Sequence, residues 1–96
     1  MSESEPTWNF MSSHAHTLIC LAENPRARVR DVAERVGITE RAAMRIIKRL
    51  EEAGVVTRQK EGRRNRYAIH GQKLLSHPLE AHFRVGVMLS QVLSKN

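Results

Sequence analysis

The stretch VRDVAERVGITERAAMRIIKRLEEAG, residues 29–54, decides the fold. Val29, Val32, Ala33 and Val36 recur at helical spacing, and Gly37 follows where a helix stop that needs positive φ would fall. A helix of about two turns fits residues 29–36. Ile38 is apolar, Thr39 is a favoured N-cap, and Glu40 brings negative charge to the positive end of a second helix over 40–53, which Gly54 stops. Small Ala33 lets the helices approach, Gly37 turns the chain, and Ile38 with Ile46 closes the space between them, which is helix-turn-helix spacing.

Downstream of Gly54 the hydrophobic period shortens to that of strands. Residues 55–60 and 65–70 are β-branched or alternate apolar with polar, and they flank Glu61-Gly62-Arg63-Arg64, so a β-hairpin is expected. A connector over 71–77 leads to Ser76, His77 and Pro78, which supply cap and first-turn chemistry for a last helix over 79–93. Upstream, residues 8–23 form an amphipathic helix. Met11, Ala15, Leu18, Ile19, Leu21 and Ala22 lie on one arc, and Ser12, Ser13, His16, Cys20 and Glu23 lie on the other. Asn24-Pro25 ends it, and residues 1–7 are polar and frayed. The fold class is therefore mainly α with a small β-hairpin.

The whole chain has 96 residues and 11.0 kDa, 41% hydrophobic and 27% charged, which suits one compact domain. Its formal charge of +6 and pI near 10.5 favour a polyanionic partner. That surplus is local: residues 1–25 carry acids and no Lys or Arg, whereas thirteen of the sixteen basic residues fall within 26–66. The single Cys20 forms no intramolecular disulfide, the N-terminus lacks the features of a signal peptide, and no apolar run approaches the ~20 residues of a membrane span. A cytoplasmic protein is expected. No paired carboxylates, glycine-rich phosphate loop or nucleophile with an evident base appears, so neither enzymatic activity nor a cofactor is expected. His16 and Cys20 are spaced as metal ligands on a helix, yet two ligands fall short of the about four that zinc needs, and no metal site is expected.

Function follows from where the basic residues fall. On the helix over 40–53, at about 100° per residue, Ala42, Ala43, Ile46, Leu50 and Ala53 face one way and Arg41, Arg45 and Lys48 the other. Arg makes bidentate contacts to guanine edges and Lys contacts phosphate, so this face suits a DNA major groove. Thr39 and Glu40 are candidates for phosphate and cytosine contacts, and Arg49 extends the set. The hairpin adds Arg58, Lys60, Arg63, Arg64 and Arg66, which suit a phosphate backbone or a minor groove. Blander readings are a solvated helix face paired with acids, and charge that protects a strand edge. Apolar side chains cover most of the last helix, with Glu80 and Arg84 spaced as an ion pair. Leu79, Phe83, Val87, Leu89 and Val92 are the candidates to meet a second subunit. The competing function is a protein-interaction module on the same scaffold. RNA binding ranks behind both, because Trp8, Phe10, Tyr67 and Phe83 are too scattered for a stacking platform.

Three segments carry a family resemblance: Val32-Ala33-Glu34-Arg35-Val36-Gly37-Ile38-Thr39, Arg49-Leu50-Glu51-Glu52-Ala53-Gly54-Val55-Val56-Thr57-Arg58, and Gly62-Arg63-Arg64-Asn65-Arg66-Tyr67. Over about residues 8–93 the chain resembles the winged helix-turn-helix domain of bacterial MarR-like and ArsR-like transcriptional regulators. The resemblance implies a homodimeric regulator of double-stranded DNA, a repressor by expectation, with recognition helix 39–49 and wing 58–66. The single cysteine departs from the paired cysteines of ArsR-like metal sensors, so metal sensing is not carried over. MarR-like proteins are longer, so no effector pocket is carried over either. The organisation expected is a flexible 1–7, a DNA-binding domain over 8–77 and a dimerisation helix over 78–96.

Overall fold

The computed structural model describes residues 11–73, 77–80 and 84–93. Its elements run α1 (Ser13–Glu23), α2 (Val29–Val36), α3 (Glu40–Glu52), β1 (Val56–Glu61), β2 (Arg64–Ile69) and α4 (Val85–Leu93). This is the mainly helical architecture with one hairpin that the sequence leads one to expect.

The ends of the helices follow from local chemistry. Ser12, extended at φ −75° and ψ 170°, accepts a hydrogen bond from the Ala15 N–H, which starts α1 at Ser13 rather than at residue 8. Residues 8–10 of the expected helix lie outside the described residues. α2 ends in Gly37, left-handed at φ 86°, where the N–H groups of Gly37 and Ile38 both donate to the Ala33 carbonyl. Thr39 caps α3 by accepting from the Ala42 N–H at 3.0 Å.

β1 and β2 pair antiparallel from Val56↔Ile69 to Glu61↔Arg64, leaving Gly62 and Arg63 as a two-residue turn. Gly62 has φ 61° and no non-glycine residue among those described has positive φ, Arg63 included, which is the pattern of a type II′ turn. The strands are shifted by one residue from the expected boundaries. The free edge of β2 is docked too, because the Tyr67 N–H donates to the Pro25 carbonyl at 2.8 Å.

α1 is the centre of the packing and touches α2, α3, α4 and β2. Leu18, Leu21, Val32, Ala33, Ala43, Ile47, Val56, Tyr67, Val85 and Leu89 form one core, in which Leu21, Ala43 and Val85 are wholly buried. Covering α1 on so many sides widens its buried arc. Cys20, expected on the polar face, is therefore buried, as is Thr17. α3 likewise buries Ile47, which was not among its expected core residues, while Ala53, expected in the core, is exposed.

The last helix departs most from expectation. It begins at Val85, not at residue 79. The Val85 N–H donates to the Lys73 carbonyl and the Gly86 N–H to the Gly71 carbonyl, each at 2.9 Å, so the connector ties down the start of the helix. A Cβ on Gly86 would lie 3.0 Å from the Gly71 oxygen, and glycine is what permits the approach. Residues 77–80 form a separate turn, in which the Glu80 N–H donates to the His77 carbonyl. Glu80 and Arg84 thus do not share a helix, and the ion-pair spacing expected of them does not apply.

Candidate nucleic-acid interface

Packing of Ala43, Ile46 and Ile47 against the core fixes the rotation of α3 and sends its opposite face to solvent. Arg41, Arg45, Lys48 and Arg49 stand exposed there, and among the described residues none of them makes an ion pair. The acids of α3 do not neutralise this face: Glu51 is spent on Arg58, and Glu40 and Glu52 pair with none of the described bases. Thr39 and Glu40 are exposed at the start of α3, with the Thr39 hydroxyl already engaged by the Ala42 N–H. A hydroxyl that accepts from one amide still has its own proton to donate to a phosphate.

The wing divides its basic residues between two tasks. Lys60 and Arg63 are exposed without ion-pair partners among the described residues, and Arg63 sits in the turn itself. Arg58 pairs with Glu51 of α3 at 3.1 Å, and Arg66 with Glu61 at 3.8 Å. Both pairs are solvent-exposed on their basic side, and such pairs contribute only about 0–1 kcal/mol, so a phosphate can replace either carboxylate at little cost. Arg64 is different. It is half-buried, and its guanidinium donates to the Arg26 carbonyl at 2.8 Å. Arg26 in turn meets Glu61 at 3.6 Å. Together with the Tyr67–Pro25 bond, these contacts brace the hairpin against the link between α1 and α2.

Between α3 and the wing lies a cleft of about 350 Å³, bordered by Val29, Met44, Lys48, Arg58, Asn65 and Tyr67. Val29 opens α2, and its exposed neighbours Arg28 and Arg30 extend the basic surface past the cleft. Neither was among the expected site residues. One signal for them is legible in the sequence: arginine at a helix N-terminus opposes the helix dipole, and in the structure Arg28 makes no side-chain capping bond in return.

The remaining candidates sit elsewhere. His16, Ile19, Cys20, Arg35 and Val36 line a smaller cleft of about 210 Å³ between α1 and α2, where Arg35 is held by Glu23 at 2.6 Å. Burial pushes the Cys20 thiol's pKa up, outweighing the pull of Arg35 in the other direction. His70 bonds through Nε2 to the Thr57 hydroxyl at the base of the wing. Among the described residues no three His, Cys, Asp or Glu side chains gather as a metal site, and no helix is long and apolar enough to cross a membrane. Of the expected subunit contacts, Leu79 and Val87 are exposed and Val92 is half-buried, while Phe83 lies outside the described residues. Leu89 is a correction: it is turned inward and packs in the chain's own core.

Residues 16–57 match the family model described as winged helix-turn-helix DNA-binding. That span covers most of α1, all of α2 and α3 and the entry to β1, and it stops short of the wing tip and of α4. Among solved structures, a mutant of Lactococcus lactis ZitR aligns with TM-score 0.62 at 16% identity, covering 98% of this chain and 57% of that one. Wild-type ZitR in complex with DNA aligns with TM-score 0.55 at 20% identity, covering 73% and 49%. The PcaV transcriptional regulator of Streptomyces coelicolor, in complex with its natural ligand, aligns with TM-score 0.57 at 26% identity, covering 85% and 59%. ZitR is described as a zinc-responsive MarR family member. No curated protein sequence matches the chain. The chain thus spans about half to three fifths of the length of these structural relatives. Residues 16–57 thus resemble winged helix-turn-helix DNA-binding domains, and the chain has the fold of these MarR-family regulators.

Proposed function

We propose that the chain is a sequence-specific transcriptional regulator of double-stranded DNA that acts as a homodimer. The observation that carries this reading is the unpaired basic face of α3. If Arg41, Arg45 and Lys48 were an ordinary solvated surface, the acids nearby would neutralise them, and among the described residues they do not. α3 enters the major groove, where Arg41 and Arg45 reach base edges and Lys48 and Arg49 meet phosphate. Thr39 adds a phosphate contact at the helix N-terminus, and Glu40 accepts from a cytosine amine. Lys60 and Arg63 at the wing tip follow the backbone or the minor groove, with Arg58 and Arg66 available once they exchange their carboxylates.

Dimerisation supplies the second half-site, one helical turn of DNA away. Exposed Leu79 and Val87, together with half-buried Val92, leave apolar surface near the C-terminal helix for a second copy. The domain over 8–77 then reads DNA and the segment over 78–96 holds the pair together.

Selection of duplexes from a random pool, followed by titration across a series of salt concentrations, tests this directly. A palindromic consensus and an affinity that falls steeply with salt are expected. Absence of duplex binding at low salt refutes the function, and a single non-repeated half-site refutes the dimer.

A further inference from the structure

Every exposed residue of α3 is charged except one: Met44, which is 60% exposed. It is neither part of the core cluster nor among the hydrophobics packed against it. Helical geometry puts it about 40° from Lys48 and about 60° from Arg41 on the outward arc, at the lip of the cleft toward the wing. An apolar side chain amid four basic ones gains nothing in solution. In a major groove it meets the C5-methyl of thymine, the apolar group that base pairs present there. The unbranched thioether of methionine is flexible and polarizable enough to lie against such a methyl. The surrounding basic residues supply the charge complementarity that brings a DNA groove, rather than an apolar protein surface, to this face.

We propose that Met44 is a specificity-determining residue that reads one thymine methyl in each half-site. The proposal rests on the DNA-binding reading above. It adds to the arginine contacts a preference for thymine beside the bases they recognise.

Deoxyuridine provides the test, because it pairs as thymine does and lacks only the methyl. In a duplex selected from a random pool, each thymine is replaced singly by deoxyuridine, and binding is compared for the wild-type chain, Met44→Ala and Met44→Leu. The wild type should lose about fourfold in affinity at one thymine position per half-site, the value of one buried methylene-sized group. Met44→Ala should bind the two duplexes equally, and Met44→Leu should keep the discrimination. Alanine is the better helix former at an exposed position, so the variant folds. Comparing the thymine-to-uracil ratio between variants cancels any change that uracil makes in the duplex itself. Wild-type affinity unchanged at every replaced thymine overturns the proposal, as does a Met44→Ala ratio equal to the wild type's. Failure to bind any duplex at low salt overturns the DNA reading itself, whereas tight binding without methyl sensitivity overturns only the role of Met44.

Discussion

Arg63 in the wing turn and Arg64 at the start of β2 are neighbours in sequence, and their surroundings differ. The Arg64 guanidinium donates to the Arg26 carbonyl at 2.8 Å, whereas Arg63 projects to solvent without an ion-pair partner among the described residues. Hydrogen bonds to charged groups contribute about 1.5–3 kcal/mol. This one is solvent-exposed, so Arg64→Ala is expected to cost about 1 kcal/mol of folding stability. For a domain of this size that lowers the melting midpoint by about 4–8 °C. Arg63→Ala should leave stability within about 0.5 kcal/mol of wild type. In DNA titrations the order reverses: Arg63→Ala removes a phosphate contact and lowers the salt slope by about 0.9. Arg64→Ala weakens binding by loosening the wing and leaves the slope unchanged. Thermal melts and salt-dependent duplex titrations of both variants decide the matter. An Arg64→Ala chain with an unchanged midpoint and a salt slope lowered by about one would refute the brace.

Three further outcomes are expected. Arg45→Ala should cost about 1–3 kcal/mol on the selected duplex and much less on a random one, as read by parallel titrations; equal losses on both contradict a base contact. Gly86→Ala places a Cβ 3.0 Å from the Gly71 carbonyl oxygen and should destabilise the chain by about 1–3 kcal/mol in urea unfolding, so an unchanged midpoint argues against that close approach. Cys20, buried and with its pKa raised, should react with iodoacetamide far more slowly in the native chain than in urea at the same pH, and equal rates would show the thiol to be accessible.

The helix-turn-helix was legible because its signals are local and agree with one another. Gly37, Thr39 and Glu40 mark the turn within four residues, and the apolar period places Val32, Ala33, Ala43 and Ile46 on the faces that pack. The hairpin was legible for the same reason, through its change of period and Gly62. The last helix was misread because its true start is set by bonds from Val85 and Gly86 back to Lys73 and Gly71, which no local pattern announces. His77 and Pro78 do start a turn, as their chemistry suggests, but that turn is not the beginning of α4. Cys20 and Ile47 were misplaced for a related reason. A single amphipathic arc describes a helix covered on one side, and α1 is covered on several while α3 also meets β1.

Charge partition was the part of the site that the sequence could not contain. Counting placed the basic excess in residues 26–66, but whether a given arginine faces DNA or holds the fold depends on contacts between residues far apart in the chain, such as Arg64 with Arg26 and Arg26 with Glu61. The partition has a functional logic. Arg26 and Arg64 tie the wing to the link between α1 and α2, so that, on the proposed function, Lys60 and Arg63 would reach a duplex already positioned. Preorganisation of this kind spares the ordering entropy that a loose basic loop would lose on binding. It also separates two ways of weakening the complex: removing a contact changes both affinity and its dependence on salt, while removing a brace changes affinity alone. A basic residue in this wing is therefore classified by the salt slope of its alanine variant, and its charge or its place in the sequence does not suffice.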